Sequence, residues 1–313
     1  MTQQIAFLFP GQGSQSIGML AELQAAYPAV AETFGEASDV LGFDLWKLVQ
    51  DGPESDLNQT HNTQPAMLAA GVATWRVWKQ QGGSDPVVMA GHSLGEYSAL
   101  TCAGSLQFTD AIKLVAERGR LMQQAVPESV GAMAAILGLD DDVVCQVCAD
   151  AAGGEVVEAV NFNSPGQVVI AGHAAAVTRA IDAAKEAGAK RALPLPVSVP
   201  SHCALMKPAA ERLAEVLSDI DVSMPAIPVI HNVNVEIADN TDSIRQMLVE
   251  QLYSPVRWTE TVQRMQSDGV SLLVEAGPGK VLTGLARRID RKLDAMPLFD
   301  PASLVKLMES LDV

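Results

Sequence analysis

The sequence predicts an α/β fold, a mostly parallel sheet covered by helices on both faces with a small ferredoxin-like subdomain inserted into it. Three observations predict it. Short, nearly continuous apolar runs alternate with longer amphipathic ones along the 313 residues, the rhythm of a parallel sheet buried on both sides. One internal segment breaks that rhythm with the order strand, helix, strand, strand, helix, strand, a split βαβ arrangement. A G-x-S-x-G pentapeptide then sits where a strand should turn into a helix.

Taken in order, strands are expected at 5–9, 87–90, 132–137, 156–159, 168–171, 191–195, 229–233 and 272–275. Helical spacing of apolar residues appears at 16–23, 65–80, 96–103, 110–125, 174–187, 208–217, 243–252 and 259–266. The two middle strands of the irregular segment are joined by Asn161-Phe162-Asn163-Ser164-Pro165-Gly166, rich in turn formers. The segment leaves through Pro194-Leu195-Pro196-Val197-Ser198-Val199-Pro200, whose three prolines favour an extended return to the main body. Residues 1–127 and 199–313 are therefore read as a large catalytic α/β subdomain and 128–198 as the small one.

Composition narrows the function. A chain of about 300 residues buries about 75% of the surface it exposes when unfolded, so no disulfide staples are needed. The net charge is 21 − 37 = −16, which argues against general binding to nucleic acid or to an anionic membrane surface. Four cysteines are too few for a secreted framework. The Cys145/Cys148 pair has CxxC spacing with no second pair to complete a zinc site, and reads as two small apolar residues on a helix. The N-terminus lacks a basic region, its apolar run is too short for a signal peptide, and no stretch approaches about 20 apolar residues. A cytoplasmic protein is expected, and a monomer.

The chemistry centres on Gly91-His92-Ser93-Leu94-Gly95-Glu96. Between a strand and a helix, this pattern forms the nucleophile elbow of an α/β-hydrolase-like sheet. Gly91 and Gly95 lack the β-carbons that would clash where strand and helix pack, and Ser93 projects at the helix N-terminus. There the Leu94 N–H and the helix dipole can stabilise negative charge. Of the five histidines, His202, just after the proline-rich return, is the best placed general base. His61 and His173 read as solvated or capping residues, and His231 as a satisfied core histidine. No acid for a triad is evident, so a Ser–His dyad with its histidine oriented by another group, such as a backbone carbonyl, is expected. The glycine-rich loop Pro10-Gly11-Gln12-Gly13-Ser14-Gln15 fails the dinucleotide spacing; an N–H from Gln12 could instead complement that of Leu94. Arg118 and Met122 share a helix face. From spacing alone Arg118 reads as a surface cation balanced by Glu117, although beside an acyl-serine it would suit a substrate carboxylate.

These residues resemble the malonyl-CoA:acyl-carrier-protein transacylases of bacterial fatty acid synthesis and, more distantly, the acyltransferase domains of polyketide synthases. The resemblance runs through Phe9-Pro10-Gly11-Gln12-Gly13-Ser14-Gln15, Thr63-Gln64-Pro65-Ala66, the Ser93 elbow, Arg118-Gly119 with Met122, Asn161 to Gln167, Ser201-His202, Gln251 ahead of Pro255-Val256-Arg257-Trp258, and Glu275-Ala276-Gly277-Pro278-Gly279. It implies that Ser93 is acylated with His202 as base, that the Gln251 carbonyl orients His202, and that the N–H groups of Gln12 and Leu94 form the oxyanion hole. It further implies that Arg118 binds the free malonyl carboxylate, with Met122, Gln64 and Asn163 near the pocket. Polyketide domains selecting malonyl often carry Phe before the histidine, whereas Ser201 here matches the stand-alone enzymes.

The activity implied is transfer of a malonyl group from malonyl-CoA to the phosphopantetheine thiol of acyl carrier protein. No cofactor is expected, because coenzyme A arrives with the substrate and phosphopantetheine with the partner. A serine esterase or thioesterase sharing the elbow is the alternative. An acidic carrier needs a local basic surface on this acidic chain, for which Lys190-Arg191 and Arg287-Arg288 with Arg291-Lys292 are the candidates.

Overall fold

The computed structural model describes residues 3–127, 129–197 and 199–311. Residues 128 and 198, which bound the expected small subdomain, thus lie outside the described residues. The strands are β1 (Ile5–Phe9), β2 (Val88–Gly91), β3 (Gly131–Leu137), β4 (Val157–Ser164), β5 (Gln167–His173), β6 (Arg191–Pro194), β7 (Val229–Ile230), β8 (Leu272–Ala276) and β9 (Asp294–Leu298). They form two sheets. The larger has the order β7-β2-β1-β8-β9 and is parallel throughout.

Alternation along β1 shows how the larger sheet is buried. Ile5, Phe7 and Phe9 enter one core, where Phe7 meets Trp75 edge-on at 5.2 Å. Ala6 and Leu8 enter a second core on the opposite face, with Trp258, Val262 and Leu285. A central strand with helices on both faces has no solvent side, so its sequence, Ile-Ala-Phe-Leu-Phe, carries no polar residue.

The second sheet has the order β4-β5-β3-β6, antiparallel throughout, the ferredoxin-like arrangement expected. The helices Asp141–Ala151 and Ala174–Glu186 cover one face through Ile136, Val144, Ile170 and Val177. The other face turns Met133, Val169 and Ala171 toward the main body, against Cys203. Strand β4 is pinned there by reciprocal bonds, Val256 N–H to the Val160 carbonyl at 2.9 Å and Phe162 N–H to the Val256 carbonyl at 3.0 Å. The cleft between the two sheets is where the sequence places its chemistry.

The structure departs from expectation in several elements. Strand β9 is absent from the sequence reading because Asp294-Ala295-Met296-Pro297-Leu298 carries a proline; as an edge strand it tolerates one. The strand expected at 229–233 stops at Ile230, since the chain doubles back and His231 N–H bonds the Glu236 carbonyl at 2.9 Å. The helix expected at 65–80 begins at Thr60, so Pro65 lies one turn inside it. The helix expected at 16–23 spans Ala21–Ala26. Helices Pro28–Leu41, Leu45–Asp51 and Pro301–Ser310 were not delimited from sequence. Among the described residues no helix is long and apolar enough to cross a membrane, and the four cysteines are free. Burial pushes the Cys148 thiol up to about 12, fitting its reading as a small apolar residue.

Candidate active site

Strand β2 ends at Gly91, and the chain turns through Ser93 into the helix Gly95–Cys102. Ser93 has φ +51°, a left-handed conformation that costs a non-glycine residue on the order of 1 kcal/mol or more. The turn holds because its neighbours are glycines. A β-carbon on Gly91 would lie 1.8 Å from the Gly95 carbonyl carbon, and one on Gly95 would lie 1.9 Å from the Phe9 oxygen. Asn232, fully buried, braces the turn from the β7 side. Its Oδ1 accepts from Ser93 N–H at 2.8 Å and its Nδ2 donates to the Gly91 carbonyl at 2.7 Å.

His202 also has a positive φ, +66°, and its own N–H is tied to the Leu252 carbonyl at 2.9 Å. Its Nδ1 lies 2.7 Å from the Gln251 main-chain oxygen and its Nε2 lies 2.7 Å from Ser93 Oγ. A carbonyl oxygen can only accept, so Nδ1 carries the proton and Nε2 accepts from the serine hydroxyl. Burial pulls the pKa of His202 down to about 3, the nearby Arg118 charge adds to this, and the bond to Gln251 works against it. The ring is therefore neutral at ordinary pH, the form a general base requires.

Arg118 is 1% exposed. It lies on the long helix Phe108–Ala125, which packs against Thr60–Gln80. Burial lowers its pKa, and Tyr97 and Glu96 raise it again; a guanidinium stays charged under such conditions. Two neutral carboxamide oxygens hold it, Gln64 Oε1 at 2.9 Å and Gln251 Oε1 at 3.0 Å, and its plane lies over Tyr97 with the guanidinium carbon 5.3 Å from the ring centre. Its Nε has no partner among the described residues. No carboxylate touches it there, so the charge is positioned and left unneutralised.

Ser93, His202 and Arg118 line one cleft of about 130 Å³. Its base is formed by the fully buried Gln64, Arg118 and Met122, its rim by Gln12 and Ser201, and its far wall by Met133, Leu195 and Val197 of the smaller sheet and its exit. A nucleophile with its base at the middle and a desolvated cation at the floor suits an acyl group that ends in an anion.

The sequence profile of the acyl transferase domain matches residues 6–299. The chain belongs to this acyl transferase family. Malonyl CoA-acyl carrier protein transacylase of Escherichia coli strain K12 is 60% identical over 306 residues, 98% of this chain and 99% of that one. That of Haemophilus influenzae is 62% identical over 310 residues, 99% of each chain. An acyl carrier protein S-malonyltransferase from Vibrio cholerae superposes with a TM-score of 0.96 at 62% identity, covering 97% of this chain and 100% of that one. A malonyl-transacylase solved in complex with a type II polyketide acyl-carrier protein gives 0.98 at 60% identity over 98% and 100%.

In this acyl transferase the other expected residues fall as follows. Gln12 and Leu94 both line the cleft, and no protein acceptor is found for either main-chain N–H among the described residues. Met122 lies beside Gln64, its Sδ 3.5 Å from Gln64 Nε2. Asn163 does not line the cleft; it sits behind the elbow with Oδ1 2.8 Å from His92 Nε2, and Asn161 faces the cavity two residues earlier. A strand alternates faces, which separates neither residue by parity; the register shifts along β4 do. His61 and His173 lie away from the cleft: His61 Nδ1 meets Gln123 at 2.7 Å and His173 Nδ1 accepts from Val156 N–H at 3.0 Å. Sequence reasoning gave no role to Asn232, Glu96 or the Gln251 side chain. Glu96 reads as an ordinary acid in a first helical turn, and only its complete burial shows otherwise.

Proposed function

We propose that the enzyme transfers a malonyl group from malonyl-CoA, by way of an ester on Ser93, to the phosphopantetheine thiol of acyl carrier protein. The observation that carries this reading is the unneutralised Arg118 on the floor of the cleft that holds Ser93 and His202. The malonyl carboxylate pairs with Arg118, which sets the thioester carbonyl against Ser93. His202 Nε2 takes the hydroxyl proton as Oγ attacks, and the N–H groups of Gln12 and Leu94 hold the oxyanion. The proton then passes to the departing thiolate of coenzyme A. In the second half the carrier thiol gives its proton to His202 and attacks the ester, and His202 returns the proton to Ser93 Oγ as the acyl–oxygen bond breaks.

An uncharged acyl group leaves the buried cation unpaired, which favours malonyl over acetyl. An esterase or thioesterase would share the dyad but has no use for a cation at the floor. The reaction asks for no cofactor of the enzyme's own. A cytoplasmic location is part of this reading and is supported by the four free cysteines; so are a monomeric state and division of the chain at about 127/128 and 198/199, the latter supported by the two separate sheets.

Intact-protein mass spectrometry after brief exposure to malonyl-CoA or acetyl-CoA tests the proposal. The expected result is one malonyl adduct that is absent in Ser93→Ala and discharges onto acyl carrier protein. In Arg118→Ala the malonyl-to-acetyl ratio should fall by about tenfold or more. Thioester cleavage with no transfer to carrier would overturn it.

A further inference from the structure

Glu96 is fully buried and is held on every side. Its Oε1 lies 2.7 Å from His231 Nδ1, and its Oε2 accepts from Asn232 N–H at 2.9 Å and from Gln251 Nε2 at 2.8 Å. Gln251 Nε2 donates also to the Ser93 carbonyl at 3.1 Å, while Gln251 Oε1 accepts from Arg118 at 3.0 Å. These partners fix the amide's direction. Glu96 and the Ser93 carbonyl are acceptors and demand the NH2 end; Arg118 is a donor and demands the oxygen. Rotation of the amide by 180° would set NH2 against guanidinium and oxygen against carboxylate.

We infer that Glu96 is a positioning residue for acyl selection: through the Gln251 amide it aims Arg118 at the acyl pocket and balances its charge from one residue away. A carboxylate in direct contact would neutralise Arg118 and compete with the substrate. Set behind a carboxamide, it keeps the guanidinium oriented while leaving its ion-pairing capacity for the ligand. The same Gln251 turns its main-chain oxygen to His202, so the groups that choose the acyl chain and activate the serine are tied to one residue. Glu96 and Tyr97, neighbours on the elbow helix, thus both reach the cation on the other helix, Tyr97 by its ring face and Glu96 through the Gln251 amide.

This inference rests on the malonyl-transfer reading, and wild-type labelling separates the two. Absence of malonyl on wild-type Ser93 sinks the reading itself. Given wild-type labelling, Glu96→Gln and Gln251→Met are labelled with malonyl-CoA and acetyl-CoA in parallel, with KM and kcat measured for malonyl-CoA. Glu96→Gln removes the negative charge that balances Arg118 while leaving an amide oxygen to accept from Gln251, and Gln251→Met removes the amide while keeping the main-chain carbonyl. Both should shift the labelling ratio toward acetyl by about tenfold, and in Glu96→Gln KM for malonyl-CoA should rise more than kcat falls. A lowered melting temperature with ratio and KM unchanged assigns Glu96 a merely structural part and overturns the inference. If Glu96→Gln does not fold, the ratio in Gln251→Met decides alone.

Discussion

Gln251 meets His202 with a main-chain oxygen, 2.7 Å from Nδ1, where a serine triad would use a carboxylate. The substitution has an electrostatic consequence. A buried carboxylate would stabilise the imidazolium and raise the ring's pKa. A carbonyl fixes tautomer and orientation with much less of that effect, and the Arg118 cation lowers the pKa further. The dyad is built around neutral histidine.

The rate of Ser93 acylation should therefore stay level from pH 8 to pH 5 and fall only as pH nears the value of about 3 to which His202 is pulled. A histidine at its ordinary pKa would lose about tenfold per pH unit below 6.5. Rapid-quench measurement of the acyl-enzyme checks this. Malonyl pairing with Arg118 removes part of the charge that depresses the ring, so the acid limb should lie higher with malonyl-CoA than with acetyl-CoA. Identical limbs would separate Arg118 from the titration.

Stability carries the opposite signature. Burial lowers the pKa of both His202 and His92, so below about pH 6.5 the unfolded chain binds protons that the folded one does not. Their contribution is fully present above pH 6.5 and is lost as pH falls, for His202 down to about 3. The slope per differentially bound proton is about 1.4 kcal/mol per pH unit. Urea midpoints between pH 7 and pH 5 should fall in wild type and fall less in His202→Ala. Equal slopes would show that His202 protonates as readily folded as unfolded.

The elbow's sterics predict a sharp threshold at Gly91. Its missing β-carbon would lie 1.8 Å from main-chain atoms of Gly95, so no side-chain rotation relieves the overlap. Gly91→Ala should cost at least about 3 kcal/mol, seen in a denaturant melt, and Ser93 should no longer acylate even where the chain stays folded. A soluble, labelling-competent Gly91→Ala would mean that strand and helix can part without loss of the site.

Much of this site was legible because its key constraints are local. Gly91 and Gly95 announce the close strand–helix approach around Ser93, and the prolines before His202 announce a loop rather than a strand. Arg118 was legible only through resemblance, because its helix has Glu117 and Arg120 beside it and spacing cannot say which side chain faces the core. Glu96 and Asn232 were not legible at all. Their partners lie more than 130 positions away in the chain, and a buried carboxylate has the same local sequence as a solvated one. Strand β9 failed for a different reason, since its Pro297 speaks against a strand and only its edge pairing with β8 makes it one.

Charge should govern the encounter with the carrier, and the structure narrows where. The cationic cluster at 287–292 divides. Arg288 reaches the Gln167 side chain on the smaller sheet, whereas Arg287 turns to the Ala295 carbonyl on β9. Arg191 pairs with Leu137 in register, Lys190 N–H bonds the Leu137 carbonyl, and Gly138 N–H bonds the Gly166 carbonyl beside Gln167. Lys190, Arg191 and Arg288 thus gather at one end of the smaller sheet, all exposed. From there β6 runs to Pro194 and delivers Leu195 and Val197 to the cleft wall, on the order of 13 Å away at strand rise. On a chain of net charge −16 such a patch offers an acidic carrier its attractive approach. Transfer from malonyl-Ser93 to carrier should slow several-fold between 50 and 300 mM salt, and the triple charge reversal to Glu should slow it further and flatten the salt response. Acylation by malonyl-CoA should stay near wild type in that variant. A transfer rate indifferent to salt and to the reversal would move docking to another face.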